Sequence, residues 1–152
     1  MRMNSLMRRL LDSLNISLPD ALAEATQQHL PDMVTANGSI LLADQYKLSR
    51  SVSLKHFPDR TGYECLVNHF HIPYDGTRAS LLQLIGRIAG IGRSLAEYAP
   101  DREFLIIVSI AEGECTIRFH ECRPGEAWLA DNLEGYTEDA IAAIHVGRVT
   151  DC

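Results

Sequence analysis

Three histidines are the side chains of this sequence best suited to metal chemistry. His69 and His71 lie two apart in "NHFH" (68–71), so an extended strand would place both imidazoles on one face. His56 lies on a neighbouring predicted strand, and three imidazoles would suit a zinc ion with an open fourth position. Because no H-x-x-x-H or matching acidic spacing accompanies them, the sequence favours histidines without a metal. A small metal-dependent enzyme stays an alternative.

A cysteine and a histidine form a second possible reaction centre. If residues 115–122 form a strand, Arg118, His120 and Cys122 share one face, and a thiol beside an imidazole can act as a nucleophile. The sequence offers neither a third group to orient the imidazole nor an oxyanion site. A Cys–His enzyme is therefore disfavoured.

Six carboxylates are concentrated around one tryptophan. The segment "RPGEAWLADNLEGYTED" (123–139) holds the only tryptophan of the chain, and within it only Arg123 offsets the acidic charge. The carboxylates of this segment and its border are Glu121, Glu126, Asp131, Glu134, Glu138 and Asp139. A pair such as Glu126 with Asp131 could act as general acid and base. A glycosidase also needs a cleft that grips a sugar, and a chain with 7% aromatic residues is poor in sugar platforms.

The same segment has a simpler interpretation as a loop that is fixed to the core and displays its charges. In "AWLADNL" (127–133) the apolar side chains are predicted to pack inward, and Trp128 is expected to be largely buried. The inward-facing residues would be Trp128, Leu129 and Leu133, and the solvent-facing ones Asp131, Glu134, Glu138 and Asp139. Displayed carboxylates of this kind suit recognition of a basic partner protein.

Charge is distributed unevenly along the chain. Residues 1–96 carry ten basic and eight acidic groups, a net of +2, and residues 97–152 carry four basic and twelve acidic groups, a net of −8. Phosphate binding needs a basic surface, so the overall net charge of −6 argues against direct nucleic-acid binding. The acidic part permits a cationic protein partner.

Length and composition predict one soluble domain, 1–152. The hydrophobic fraction of 46% and the charged fraction of 22% are typical of soluble globular proteins. The longest strongly apolar run, "FLIIVSIA" (104–111), is far shorter than a membrane-spanning helix, and the N-terminal segment lacks the features of a secretory signal. The expected location is the cytoplasm, where Cys65 and Cys115 would be buried free thiols.

The spacing of apolar residues divides the chain into helices and strands. Helices are predicted at 4–15, 17–30 and 73–100. Strands are predicted at 39–43, 49–57, 63–72, 103–111 and 115–122, with turns at 37–38, 58–62 and 112–114. The segment 139–149 could be a helix or a strand, and a strand is favoured. These elements predict an α+β fold with N-terminal helices and a mostly antiparallel sheet of five to six strands, with one long central helix packed on a face.

Three glycines raise the possibility of a phosphate-binding loop. Gly86, Gly90 and Gly92 lie in "LIGRIAGIGRS" (84–94), but Leu95 occupies the place of the third glycine of a dinucleotide-binding turn, and no P-loop is complete. Because the glycines fall inside the predicted long helix, they indicate close packing of that helix on the sheet. They also leave open a homo-oligomeric structural domain with this helix at its seam.

Two patches of the sequence resemble small immunity proteins of bacterial contact-dependent growth inhibition and related toxin systems. One patch is "IRFHECRPGEAWLADNLEGYTEDAI" (117–141), and the other is "NSLMRRLLDSLNISLP" (4–19). The resemblance implies a cytosolic, non-enzymatic inhibitor that binds the C-terminal toxin domain of a neighbouring cell's effector. Many such toxins are nucleases with cationic active sites. The resemblance brings no catalytic residues, no cofactor and no fixed toxin-binding positions.

The leading prediction is therefore a stoichiometric toxin inhibitor. Carboxylates between 121 and 139 would pair with basic residues of a nuclease active site and occlude it, while an aromatic or aliphatic residue would supply the buried hot spot. The metal-dependent enzyme and the homo-oligomer are the alternatives.

Overall fold

The computed structural model describes residues 1–25 and 30–147, and it has the predicted α+β architecture. The helices are α1 (Ser5–Ser13), α2 (Leu18–Glu24), α3 (Ala43–Leu48), α4 (Arg60–Val67) and α5 (Arg78–Tyr98). The strands are β1 (Arg2–Met3), β2 (Met33–Ala36), β3 (Ser39–Leu42), β4 (His69–Pro73), β5 (Phe104–Ala111), β6 (Glu114–Glu121) and β7 (Ala140–Val146). Short 3-10 turns occupy Leu54–His56 and Leu133–Gly135.

Five strands form one sheet in the order β1-β7-β5-β6-β4, and every pairing in it is antiparallel. This confirms the predicted sheet. β2 and β3 form a separate hairpin. Its turn residues, Asn37 and Gly38, have positive φ angles of 54° and 77°, as the tight turn predicted from this Asn-Gly pair requires.

Helix α5 covers one face of the sheet, which we call the helix face. Thr77 begins the helix, because its hydroxyl accepts a hydrogen bond from the Ser80 N–H at 3.2 Å. The buried apolar side chains of α5 are Leu81, Leu84, Ile85, Ile88, Ile91 and Leu95. They pack on alternate residues of the central strands, among them Ile106, Val108 and Ile117. Alternation directs the intervening residues to the opposite face, which we call the loop face.

Gly92 lies where α5 meets the sheet. A Cβ atom at this position would lie 3.5 Å from Val146 Cγ2 and 3.9 Å from Ile106 Cδ1, which is ordinary van der Waals contact. A methyl group would therefore fill the space between helix and sheet, and a larger side chain would force them apart. The predicted close packing of the helix on the sheet is confirmed at this glycine.

The predicted strands at 49–57 and 63–72, and their antiparallel pairing, are wrong. The first segment contains only the 3-10 turn, and the second begins within α4 and becomes a strand only at His69. The predicted turn 58–62 is the start of α4, where the Asp59 carboxylate accepts a hydrogen bond from the Gly62 N–H at 2.7 Å.

The physical reason for this error is the shortness of α4 together with its composition. It spans 8 residues, and its buried residues are Thr61, Gly62, Tyr63, Glu64, Cys65 and Val67. A helical period is recognised over a window of about 11–18 residues, so a helix this short does not establish one. The β-branched and aromatic residues then favour a strand.

Two predicted elements extend past the described residues. Helix α2 confirms only the first part of the helix predicted at 17–30, because it ends at Glu24 and neither Ala25 nor Leu30 is helical. Positions 26–29 of that prediction lie outside the described residues. The favoured strand at 139–149 is confirmed by β7, which pairs with β5 along its length, and positions 148–149 lie outside.

The buried thiols predicted at Cys65 and Cys115 are confirmed. Both are free and 0% exposed, and burial raises the pKa of each to about 12. They are packing residues, because a nucleophile needs an accessible thiolate. Among the residues that the structure describes, no helix combines the length and apolar character needed to cross a membrane.

Candidate functional site

Residues 122–139, which we call the crossover loop, cross the loop face of the sheet because β5 lies between β6 and β7. Leu133 is 5% exposed and packs with Leu105 and Ile107 of β5. Leu129 is partly buried against the same cluster. The inward packing predicted for Leu129 and Leu133 is confirmed, and it fixes the loop to the sheet.

Trp128 is not the buried residue that the sequence predicts, because it is 41% exposed. Leu129 and Leu133 occupy the apolar cluster beneath the loop. The indole lies at the surface instead, with the guanidinium carbon of Arg118 5.3 Å from the ring centroid. This cation–π contact orients the ring and leaves much of it open to water.

Two of the six candidate carboxylates belong to an internal cluster around Arg123. The guanidinium donates to both oxygens of Glu64, at 2.6 and 2.9 Å, in a two-pronged pair. It also donates to the Glu121 carboxylate at 2.8 Å and lies 3.9 Å from that of Glu126. Glu121 and Glu126 therefore fix the start of the crossover loop.

Glu64 is the charged residue of this cluster that local sequence patterns do not reveal. It lies on α4 and is 0% exposed, so its charge needs a paired cation. Burial by itself lowers the pKa of Arg123, but the hydrogen bond and charge of Glu64, with the charges of Glu121 and Glu126, raise that pKa above its ordinary value. The available signal was an acidic residue in an otherwise apolar run, which implies a distant basic partner.

Glu126 ties the crossover loop to the first turn of α4. Its carboxylate accepts hydrogen bonds from the Thr61 N–H at 3.0 Å and the Thr61 hydroxyl at 2.9 Å. Burial tends to raise the pKa of Glu126, but the two hydrogen bonds from Thr61 outweigh it, and the pKa is lowered. A carboxylate at a helix N-terminus also interacts favourably with the helix dipole.

Glu134 has the same role at the first turn of α1. Its carboxylate accepts hydrogen bonds from the Ser5 hydroxyl at 2.7 Å and the Ser5 N–H at 3.1 Å, and it pairs with Arg8 at 3.3 Å. The Ser5 hydroxyl is the largest cause of its lowered pKa. Glu134 is exposed, as predicted, but it is not free.

The end of the crossover loop is held by Asn4, which is 1% exposed. Its side-chain amide donates to the carbonyl groups of Tyr136 at 3.1 Å and Asp139 at 2.8 Å. The Asp139 carboxylate accepts a hydrogen bond from the Ser109 hydroxyl at 2.8 Å and is only partly exposed, so its predicted display to solvent is wrong. Asp139 directly precedes β7 and lies over β5, and this position brings its carboxylate to Ser109 instead of leaving it in solvent.

Asp131 and Glu138 are the carboxylates that match the predicted display. Both residues are exposed. Among the hydrogen bonds and ion pairs of the described residues, neither carboxylate has a partner. Together with Trp128, they form the part of the crossover loop that is available to another molecule.

The predicted histidine group is only partly assembled. His69 and His71 share a face of β4, with ring centroids 5.4 Å apart. His56 is not on a neighbouring strand, because it lies in a 3-10 turn and accepts a hydrogen bond from the backbone there. His71 contacts the carboxylate of Glu114 instead. Within residues 1–25 and 30–147, no group of three or more His, Cys, Asp or Glu side chains is arranged to hold a metal ion.

The Cys–His pair lacks the properties of a nucleophile. His120 is 3% exposed, and its Nδ1 lies 2.9 Å from the carbonyl oxygen of Glu121. Burial is the main cause that raises the pKa of the Cys122 thiol, so the thiol is protonated near neutral pH. A reactive cysteine needs the opposite shift.

Comparison with known proteins gives a family without an assigned activity. The family described as "Uncharacterized protein PM0498 family" matches residues 2–150. No curated protein and no solved structure matches the chain. The geometry of the crossover loop is therefore the feature of the chain that indicates a function.

Proposed function

The chain belongs to the PM0498 family, and we propose that it is an immunity protein that binds and neutralises a toxin domain, with a cationic nuclease as the expected toxin. It acts in the cytoplasm as a stoichiometric inhibitor and not as an enzyme. The observation that carries the proposal is the crossover loop, which is tied down at both ends yet exposes the only tryptophan of the chain.

Rigidity of the loop favours recognition of a protein. A mobile loop must be ordered when it binds, which costs free energy, whereas a loop that is already ordered does not lose that freedom. Arg123 and Glu126 hold the first part of the loop, and Glu134 and Asn4 hold the last part. Tryptophan is among the residues that dominate protein interfaces, so Trp128 is the expected hot spot.

Charge of the loop favours a basic partner. Asp131 and Glu138 are exposed and unpaired among the described residues, and the region 97–152 carries a net charge of −8. Such a surface raises the association rate with a cationic protein and makes that rate sensitive to salt. Glu121 and Glu126 contribute to this field, but their carboxylates are committed to Arg123 and Thr61.

The test first asks whether the gene directly upstream encodes a large effector with a small C-terminal toxin domain, and then uses that domain. We expect the full chain to protect cells that express this domain and to bind it with one-to-one stoichiometry. Trp128→Ala should weaken binding by about 30-fold, which corresponds to about 2 kcal/mol for a hot-spot residue. Leu48→Ala is the matched control, because Leu48 is an apolar residue on α3 that is 79% exposed.

The salt dependence of the association rate tests the role of the exposed carboxylates separately from the role of Trp128. We expect the association rate to fall as salt concentration rises, and Asp131→Lys with Glu138→Lys to slow association further. An association rate that does not change with salt would contradict a role of the acidic surface in binding. Equal binding by Trp128→Ala and Leu48→Ala would place the interface elsewhere.

A further inference from the structure

β4 is the last strand of the five-stranded sheet, and among the described residues it pairs only with β6. Two contacts show which of its backbone groups point outward. Tyr74 N–H donates to the Gly113 carbonyl at 3.0 Å, and the Phe119 carbonyl accepts from the Asn68 side chain at 3.3 Å. These residues flank the ladder at both ends, and bonded pairs alternate along an antiparallel ladder.

This alternation shows that the outward-pointing backbone groups of β4 include those of two histidines. Phe70 and Ile72 have the same parity as Asn68 and Tyr74, so their N–H and C=O groups face β6. The backbone groups of His69 and His71 therefore point away from the sheet. An unpaired row of this kind is a template for another extended chain.

A cleft of about 620 Å³ lies beside this free edge. Its size falls in the range of binding sites, about 300–1,000 Å³. Its apolar lining comes from Phe70 on β4, Ile91 on α5 and Leu42 on β3. Its charged lining comes from Asp32, Asp44 and Arg87.

The β2–β3 hairpin does not fill this edge. The Asn68 side chain donates to the Ile40 carbonyl at 3.0 Å and accepts from the Leu42 N–H at 2.9 Å. One asparagine thus connects β3 to the beginning of β4. Beyond it, β3 and β4 do not pair, and the cleft lies between them.

We propose that β4 binds an extended segment of a partner protein as an added strand, with alternate side chains of that segment in the cleft. The charges of the cleft specify the segment. Asp44 is paired with Lys47 at 3.0 Å, whereas the side chains of Asp32 and Arg87 have no partner among the described residues. The segment therefore carries apolar side chains and charges of both signs on the side that meets the cleft, with a cation for Asp32 and an anion for Arg87. This site is separate from the crossover loop and does not depend on the proposed toxin.

The test selects short peptides of this pattern from a phage-displayed library on the immobilised full chain. The decisive variants are His71→Pro and His71→Ala. Both lose the imidazole and its contact with Glu114, but only proline removes the outward N–H. Because that N–H does not face β6, proline at this edge is compatible with the sheet.

We expect the selected peptides to bind the His71→Ala variant as they bind the natural chain, and the His71→Pro variant about tenfold more weakly. Equal binding to both variants, or no enrichment over the His71→Pro surface, would overturn the proposal. A dimer of this chain that dissociates in the His71→Pro variant would also overturn it, because the occupant would then be a second copy.

A second measurement needs no protein variant. N-methylation of the selected peptide, one position at a time, removes one backbone donor in each derivative. A strand added to β4 donates only from alternate residues, so binding should fall at every second position. Loss at consecutive positions, or no loss at any, would contradict strand addition even if the His71→Pro variant is unstable.

Discussion

Glu121 and Asp131 belong to the same acidic stretch, yet the fold uses them differently. Glu121 is half-buried and pairs with Arg123 and Arg102, whereas Asp131 is exposed and its carboxylate has no partner in the described part of the chain. The acidic residues of this stretch therefore serve two purposes. The inner carboxylates hold the loop on the protein, and the outer ones give its surface a negative charge.

The inner carboxylates share a structural cause. Glu121 and Glu126 converge on Arg123, and Glu126 and Glu134 each accept hydrogen bonds at the first turn of a helix. Helix starts and buried arginines both need negative partners. The crossover loop has little regular structure of its own, and it is fixed by the contacts of its carboxylates with Arg123 and with the first turns of two helices.

The largest loss of stability is expected from substitution of Arg123, which lies at the centre of the inner carboxylates. Arg123→Ala leaves Glu64 buried without its cation, and breaking a buried pair in this way costs about 3–5 kcal/mol. The free energy of unfolding, measured by urea denaturation, should fall by that amount. Glu138→Ala is the control, because it removes an exposed carboxylate that has no partner in the part of the chain that the structure describes. It should leave stability unchanged within the usual scatter of surface substitutions.

If Arg123→Ala and Glu138→Ala lower the free energy of unfolding equally, the inner and outer carboxylates do not differ in their effect on stability. A further variant separates charge from packing. Arg123→Ala combined with Glu64→Leu removes both charges, so it should recover part of the lost stability.

A smaller effect is expected from the apolar contacts of the loop. Leu133→Ala should lower the free energy of unfolding by about 2–3 kcal/mol, because it empties a buried position over β5. Trp128→Ala should cost about 1 kcal/mol or less, because the ring is 41% exposed and its specific contact is the cation–π pair with Arg118. If Trp128→Ala is the more damaging change, the indole is a core residue after all.

The sequence predicted the elements whose patterns are local. The stripe from Leu81 to Leu95 defines α5, the Asn37-Gly38 pair defines a hairpin turn, and alternation at 115–122 defines β6. In each case the burial of one face leaves a regular period in the residues. The α+β class follows from these elements.

The sequence did not predict elements or contacts that depend on distant partners. Helix α4 is too short to establish a helical period, and its Glu64 pairs with Arg123, which is 59 positions away. The direction of Trp128 was also mispredicted, because Leu129 and Leu133 pack on the sheet as expected but the indole lies at the surface beside Arg118. Apolar character alone does not decide which of several neighbours is buried.

A still smaller effect is expected at the contact between Thr61 and Glu126. Thr61→Val keeps the shape of the side chain and the backbone N–H but removes the hydroxyl donor, so it should cost about 1 kcal/mol of unfolding free energy. Thr137→Val, at an exposed position, is the matched control. In a double-mutant cycle with Glu126→Gln, the two changes should be non-additive, and simple additivity would show that they do not act together.

The smallest effect is expected in the pH dependence of stability. The pKa values of Glu126 and Glu134 are lowered in the folded chain, so the unfolded chain binds more protons at acidic pH. Their contribution is fully present above the ordinary glutamate pKa, about 4.3, and is lost as the pH falls through the folded values. Glu126→Gln with Glu134→Gln should therefore flatten the acid side of the stability curve, by a modest amount because solvent screens both groups. An acid slope that is the same in the natural chain and in the double variant would show that the hydrogen bonds from Thr61 and Ser5 do not stabilise the charged carboxylates.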